Sequence, residues 1–278
     1  MKTIAVTGAC GYIGRHVVSK LCDIGVQVKA VDIFQGQVDS RADMIVCDVF
    51  KSEENVYDLL EKPDAVIHLA WRDGFVHNSD SHMNDLSNHY AFLKKLVDSG
   101  LKQLAVMGTM HEVGYYEGAI DENTPCNPIS MYGIAKDALR RSVMLMTQDK
   151  PICVQWLRAY YIYGDDKYNH SIFAKLTEAE EAGKSTFPLN SGKNKYDFIH
   201  IDLLAEQIAS TAMQTEVSGI INCCTGIPVA LGEKIEEFIA ERNFSITPQY
   251  GVYPSRKYDS PAIWGDPAKI NKIMSGLM

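Results

Sequence analysis

The apolar run Ile4-Ala5-Val6 leads straight into Thr7-Gly8-Ala9-Cys10-Gly11-Tyr12-Ile13-Gly14, and a stretch of helical period follows at Ile13, Val17, Val18 and Leu21. Strand, glycine-rich turn and helix, in that order, is how a βαβ nucleotide-binding unit opens. Gly8 allows the tight turn, Gly11 lets the backbone approach a pyrophosphate, and Gly14 lets the helix pack closely on the strand. The helix N-terminus then offers its unpaired N–H groups to the phosphates. Taken alone, a glycine pattern of this kind also fits a plain tight turn. Asp32 adds a second feature, because it closes the next apolar strand (Val26, Val28, Ala30, Val31). A carboxylate at that spacing accepts both ribose hydroxyls of an adenosine and repels a 2′-phosphate. Together they point to a dinucleotide, NAD(H) ahead of NADP(H). Arg15 and Lys29 are the nearby cations that keep NADP(H) open.

Behind this unit, strands and helices alternate. Strand candidates fall at 3–7, 27–32, 43–47, 65–69, 102–108 and 152–158, with helical stretches at 12–24, 52–61, 82–99 and 131–148. Such alternation predicts a Rossmann-type doubly wound parallel sheet with helices on both faces. Right-handed crossovers place Gly8, Asp32 and Leu69-Ala70 along one edge. Asp48-Val49 follows the third strand and can reach an adenine, or Asp48 can cap a helix. After Gly164 the pattern changes, with helices at 170–183, 202–215 and 231–242, a short apolar strand at 219–223, and a Pro/Tyr-rich tail. We therefore divide the chain into a dinucleotide-binding domain, 1–164, and a smaller substrate-binding lobe, 165–278, which returns to the main sheet near 198–225.

Composition narrows the function. A net charge of −8, with no basic or aromatic-interleaved stripe, argues against nucleic-acid binding. No apolar run of about 18 residues is present, so no membrane span is expected. The chain enters a strand directly after Met1-Lys2, which leaves no room for a signal peptide. Seven scattered cysteines without CxxC spacing suit reduced thiols in a cytoplasmic protein, and the eight histidines show no metal spacing.

The chemistry-bearing residues sit late in the first domain. Tyr132 and Lys136 lie one helical turn apart on the stretch Ser130-Met131-Tyr132-Gly133-Ile134-Ala135-Lys136 and share a face. An ammonium there lowers a phenol from its ordinary pKa of about 10, so that it exchanges protons near neutrality. A buried tyrosine beside an exposed lysine is the competing reading. Thr109, at the end of the buried strand Leu104-Ala105-Val106-Met107-Gly108, brings a hydroxyl to the same edge, where it can hold a substrate oxygen.

With these motifs in order, the chain resembles the extended short-chain dehydrogenase/reductases, the NAD-dependent epimerase/dehydratase group that works on nucleotide sugars. The resemblance runs over essentially the whole length. It rests on Thr7-Gly8…Gly11…Gly14, Asp32, Asp48-Val49, His68-Leu69-Ala70, Thr109 with Gly114, Tyr132…Lys136, Leu157-Arg158…Tyr163-Gly164, Asp197-Phe198-Ile199-His200-Ile201-Asp202 and Arg256…Asp266. It implies a cofactor set of Gly8, Gly11, Tyr12, Ile13, Gly14, Asp32, Asp48, Val49, Leu69, Ala70 and Lys136. It also implies that Tyr132 is the general acid/base, that Lys136 holds the cofactor ribose and tunes Tyr132, and that Thr109 orients the sugar oxygen. Arg256 is the expected partner of the substrate diphosphate, a role suited to bidentate arginine–phosphate geometry. A homodimer is the family's habit, here through helices 82–99 and 131–148. An apolar stripe at Leu86, Tyr90, Leu93 and Leu96 fits either that contact or the core.

Departures from the pattern say which kind of member this is. Dehydratases carry an Asp-Glu pair after the catalytic threonine; Met110 and His111 stand there, and Met110 cannot transfer a proton. Tyr161 and Tyr196 replace residues typical of epimerases, and Trp71 follows Ala70 where the family has a second alanine. Met110, His111, Tyr161, Tyr196 and Arg256 are the candidate substrate contacts. The expected activity is reduction, or the reverse oxidation, at carbon 4 of a nucleotide-linked 4-keto-6-deoxyhexose. An epimerase or a fucose-synthase-like epimerase–reductase using His111 (with His170 more distant) is the alternative. A non-catalytic cofactor-sensing regulator is a third reading, opposed by the presence of Tyr132 and Lys136.

Overall fold

A computed structural model describes residues 1–52, 55–164, 169–254 and 259–276. Seven strands build the main sheet: β1 (Thr3–Thr7), β2 (Gln27–Asp32), β3 (Asp43–Val46), β4 (Ala65–His68), β5 (Gln103–Thr109), β7 (Cys153–Ala159) and β11 (Gly219–Cys223). Their order is β11-β7-β5-β4-β1-β2-β3, and every pairing is parallel. The order reverses beside β1, so the crevice at the strand C-termini opens next to Gly8, the switch point where such sheets bind ligands.

Alternation along each strand feeds two cores. Ile4 and Val6 of β1, Ala105 and Met107 of β5, and Leu157 and Ala159 of β7 face one side. There they meet α1 (Tyr12–Asp23) and α6 (Ile201–Ala212) through Val17, Val18, Leu21, Leu204 and Ile208. Ala5, Leu104, Val106, Val154 and Trp156 face the other side, against Phe92, Leu93 and Leu96 of α3 (Ser81–Asp98) and Leu139 and Val143 of α4 (Met131–Thr147). Burial on both faces is why these strands read as continuous apolar runs. On α3, Leu93 and Leu96 of the apolar stripe are fully buried in this core, and the partly buried Leu86 and Tyr90 pack beside it.

A second sheet is assembled from β12 (Pro228–Ala230), β10 (Lys195–His200), β14 (Ala262–Gly265) and β6 (Gly118–Ile120), with β8 (Tyr161–Tyr163) also on β10. The chain thus crosses between the two sheets on both sides of residue 164. Asp197, fully buried, ties them together. Its carboxylate accepts from Thr225 N (2.9 Å), Thr225 Oγ1 (2.6 Å), Gly226 N (2.9 Å) and Gly265 N (3.2 Å). Around this sheet lie α5 (Ile172–Glu181), α7 (Leu231–Glu241) and the strand pair β9 (Thr186–Pro188) and β13 (Thr247–Gln249), whereas the C-terminal helix α8 (Ala268–Ser275) packs on α6 and β11 of the main sheet. Among the described residues of the stretch expected as a helix at 52–61, α2 (Val56–Leu59) is helical, and it ends where Glu61 and Lys62 turn to positive φ ahead of Pro63. Among the described residues, no helix is long and apolar enough to cross a membrane.

Candidate active site

At the dinucleotide end, Gly8 takes φ +70°, and a Cβ on Gly14 would lie 2.0 Å from the Gly8 carbonyl oxygen. The turn therefore requires both glycines. Tyr12 begins α1, and its hydroxyl donates to the Gly164 carbonyl (2.5 Å), so its ring bridges toward β8 instead of standing free. Ile13 is half-buried against the first core. The Asp32 carboxylate accepts from Cys10 N (2.9 Å) and from its own neighbour Ile33 N (2.8 Å), which fixes the glycine-rich turn against the end of β2. Leu69 N donates to Thr7 O (3.1 Å), and the Ala70 backbone lies 2.7 Å from where a Gly8 Cβ would be. These residues form a tight glycine cradle at the C-terminal ends of β1, β2 and β4. Asp48 caps a turn, not a helix: its carboxylate accepts from Phe50 N (3.0 Å) and pairs with Lys51 (3.1 Å). Val49 is buried in the second core.

At the other end, β5 delivers Thr109 into a single 3₁₀ turn, Met110–Glu112, closed by a capping box. Thr109 Oγ1 accepts from His111 N (3.3 Å), and Glu112 Oε1 accepts from Thr109 N (2.8 Å). The fully buried Glu112 also receives Trp156 Nε1 (2.8 Å) and pairs with Arg158 (3.3 Å) and Arg140 (3.3 Å). A shielded charge cluster thus holds the threonine from below. Across from it, Ser130 caps α4 by accepting from Gly133 N (3.1 Å), while Tyr132 N donates to His77 O (2.9 Å). Thr109 lies close enough to the Tyr132 phenol to act on its ionisation. Lys136, one turn on, is buried; its Nζ donates to Met107 O (2.7 Å) and stands 3.6 Å over the Trp71 ring.

The electrostatics correct one expectation. Burial pulls the Lys136 ammonium down to about 7, against the favourable charge of Glu112. Burial also pushes the Tyr132 phenol well above its ordinary range; the Thr109 hydroxyl opposes this and Glu112 adds to it. Lys136 Nζ is 6.0 Å from the centre of the Tyr132 ring, donates to Met107 O and stands over Trp71. Desolvation is the larger effect.

Of the expected substrate contacts, His111 neighbours Tyr132, and Tyr161 neighbours His111. The His111 ring lies 6.2 Å from Tyr132 and 6.4 Å from Tyr161, and Tyr161 packs 4.3 Å from Tyr196. Burial, and then His77, pull His111 down to about 3, so it is a neutral imidazole at neutral pH. Met110 is 4% exposed and packs in the first core. Tyr196 is likewise nearly buried, and its ring packs on Tyr161. Arg256 lies outside the described residues. The sequence reading missed His77, whose ring stacks on Tyr132 (5.6 Å, 14°) and lies 4.3 Å from His111. It comes from an irregular loop with no period or motif to mark it. Glu112 was legible in principle, as the fourth residue of the Thr-x-x-Glu capping pattern.

Comparison with known proteins agrees with this architecture. The family model described as "NAD dependent epimerase/dehydratase family" matches residues 4–224. The chain is 47% identical, over 268 residues, to dTDP-6-deoxy-L-talose 4-dehydrogenase (NAD(+)) of Aggregatibacter actinomycetemcomitans, covering 94% of this chain and 98% of that protein. Among solved structures, the UDP-N-acetylglucosamine 4-epimerase of Methanobrevibacter ruminantium M1 superposes with a TM-score of 0.85 at 19% identity, covering 98% of this chain and 91% of the other. DesIV, a dTDP-glucose 4,6-dehydratase from Streptomyces venezuelae, superposes with a TM-score of 0.79 at 20% identity, covering 97% and 90%. With its parallel sheet, glycine cradle and matching sequence model, the chain belongs to the NAD-dependent epimerase/dehydratase family.

Proposed function

We propose that this chain is an NAD-dependent oxidoreductase that interconverts a ketone and an alcohol at carbon 4 of a dTDP-linked 6-deoxyhexose. The observation that carries this is the placing of the Thr109 hydroxyl against the Tyr132 phenol, with Lys136 and Trp71 behind them and Trp71 next in chain to the Ala70 backbone that abuts Gly8. The talose dehydrogenase relative supports the nucleotide, the ring position and the choice of NAD.

When bound, the nicotinamide gives or takes the hydride at carbon 4. Gly8, Gly11 and the start of α1 would hold its pyrophosphate, Asp32 the adenosine ribose, and Lys136 the second ribose. In reduction Tyr132 gives its proton to the carbon-4 oxygen, and in oxidation it takes that proton back. A phenol held protonated by burial suits the reductive role. Thr109 donates to or accepts from the same oxygen and fixes its distance. Neutral His111 and Tyr161 contact the sugar, and Arg256 pairs with its diphosphate. NADP(H) use, a homodimer and a cytoplasmic location stay part of this reading.

His77 beside His111 favours one second reading, an epimerase–reductase in which an imidazole removes a proton alpha to the ketone. Turnover of the dTDP-linked 4-keto sugar with NADH in D₂O separates the two. The reductase leaves ring carbons 3 and 5 free of deuterium by NMR; label at either carbon that His111→Ala abolishes establishes the epimerase–reductase. The reductase reading also requires Tyr132→Phe to keep NADH binding while losing 10²–10⁴-fold in kcat, roughly what a general acid contributes. Near wild-type turnover by that variant would refute it.

A further inference from the structure

Trp71 is the departure from the family pattern that the proposed chemistry leaves unused, and the structure surrounds it with specific contacts. Lys136 Nζ sits 3.6 Å from the centre of its ring, well inside the range of a cation–π contact. Its indole N–H donates to His82 Nδ1 (3.1 Å). Indole nitrogen only donates, so His82 carries its own proton on Nε2, which donates to Val76 O (2.9 Å). The indole ring also stacks on His89 (4.3 Å, 19°). His89 Nδ1 is bonded to His68 Nε2 (2.9 Å), and His68 Nδ1 to Thr7 Oγ1 (2.7 Å), at the last residue before Gly8. All three of His68, His82 and His89 are buried.

We propose that Trp71 is a positioning residue: its ring holds the Lys136 ammonium against the Met107 carbonyl, and the histidine chain from Thr7 fixes the ring itself in register with the glycine-rich turn. The inference rests on the proposed function only for its kinetic consequence. Lys136 otherwise faces Tyr132 on its own helix, Glu112 on the 3₁₀ turn, His68 on β4 and His89 on α3. Of these, Glu112 is the opposite charge; His68 and His89 are held neutral at ordinary pH, their pKa values pulled far down by burial. The ring is therefore the nearest stabiliser of the ammonium apart from Met107 O.

The test is a pH titration of the Lys136 amine by ¹⁵Nζ-lysine NMR, assigned with Lys136→Met, on the full chain. Wild type, Trp71→Phe and Trp71→Leu are compared, with Trp71→Met standing in should the leucine variant not fold. Removing the ring should make the ammonium about tenfold easier to deprotonate, moving its titration down by about one pH unit. Trp71→Phe should restore most of that shift. NADH affinity should follow the same order and the same pH displacement. An unmoved titration in Trp71→Leu, or a phenylalanine variant as shifted as the leucine one, would overturn the proposal. A correct NMR shift in a protein without activity on any dTDP-linked 4-keto sugar would instead refute the functional reading and leave the positioning role standing.

Discussion

Replacing Lys136 by methionine should make the fold more stable while destroying the site. The side chain is 2% exposed, and burial brings its ammonium from 10.5 down to about 7. At 1.36 kcal/mol for each tenfold change in ionisation, keeping that charge buried costs about 5 kcal/mol below pH 7. Methionine fills a similar volume without a charge, but gives up the Met107 hydrogen bond and the contact with Trp71, together about 2 kcal/mol. The net gain expected at pH 6 is therefore roughly 2–3 kcal/mol. Its pH dependence is the sharper signature. Between about 7 and 10.5 the unfolded chain keeps the lysine proton that the folded chain has lost. The stability of the wild type thus rises with pH across that window, and the cost is fully present only below it. The advantage of Lys136→Met should shrink by about 2–3 kcal/mol from pH 7 to pH 9, becoming nearly neutral. Urea denaturation at pH 6, 7, 8 and 9, with unchanged m-values, measures this directly. A methionine variant less stable than wild type at pH 6, or a difference independent of pH, would show that the lysine carries no burial penalty and refute the reasoning.

Glu112→Gln keeps the shape but leaves Arg158 and Arg140 facing a neutral group in a fully buried site. A loss of about 3–5 kcal/mol is expected by chemical denaturation, and a loss under about 1 kcal/mol would contradict the cluster's role. Asp32→Ala removes the carboxylate that should repel a 2′-phosphate and frees the Cys10 and Ile33 amides. A preference for NADH over NADPH of about 10–100-fold in kcat/KM, expected for the wild type, should fall to within a few-fold. An unchanged ratio would place cofactor choice elsewhere, with Arg15 and Lys29 next in line.

The regular half of this protein was legible in its sequence because the code there is local. A strand buried on both faces is mainly apolar, as β1, β5 and β7 are, and the Gly8 and Gly14 positions of the tight turn leave no room for a Cβ. Tyr132 and Lys136 were readable for the same reason, since one helical turn fixes their common face. The lobe was less legible: β6, β8, β12 and β14 are three or four residues long, too short to show a period, and they pair across distant parts of the chain. What only the tertiary structure decided is where each charge resides. No spacing rule sends Lys136 to Trp71 instead of the phenol, sinks Met110 into the core, or brings His77 onto the Tyr132 ring. Those outcomes follow from desolvation and packing among segments far apart in sequence, which local pattern does not encode.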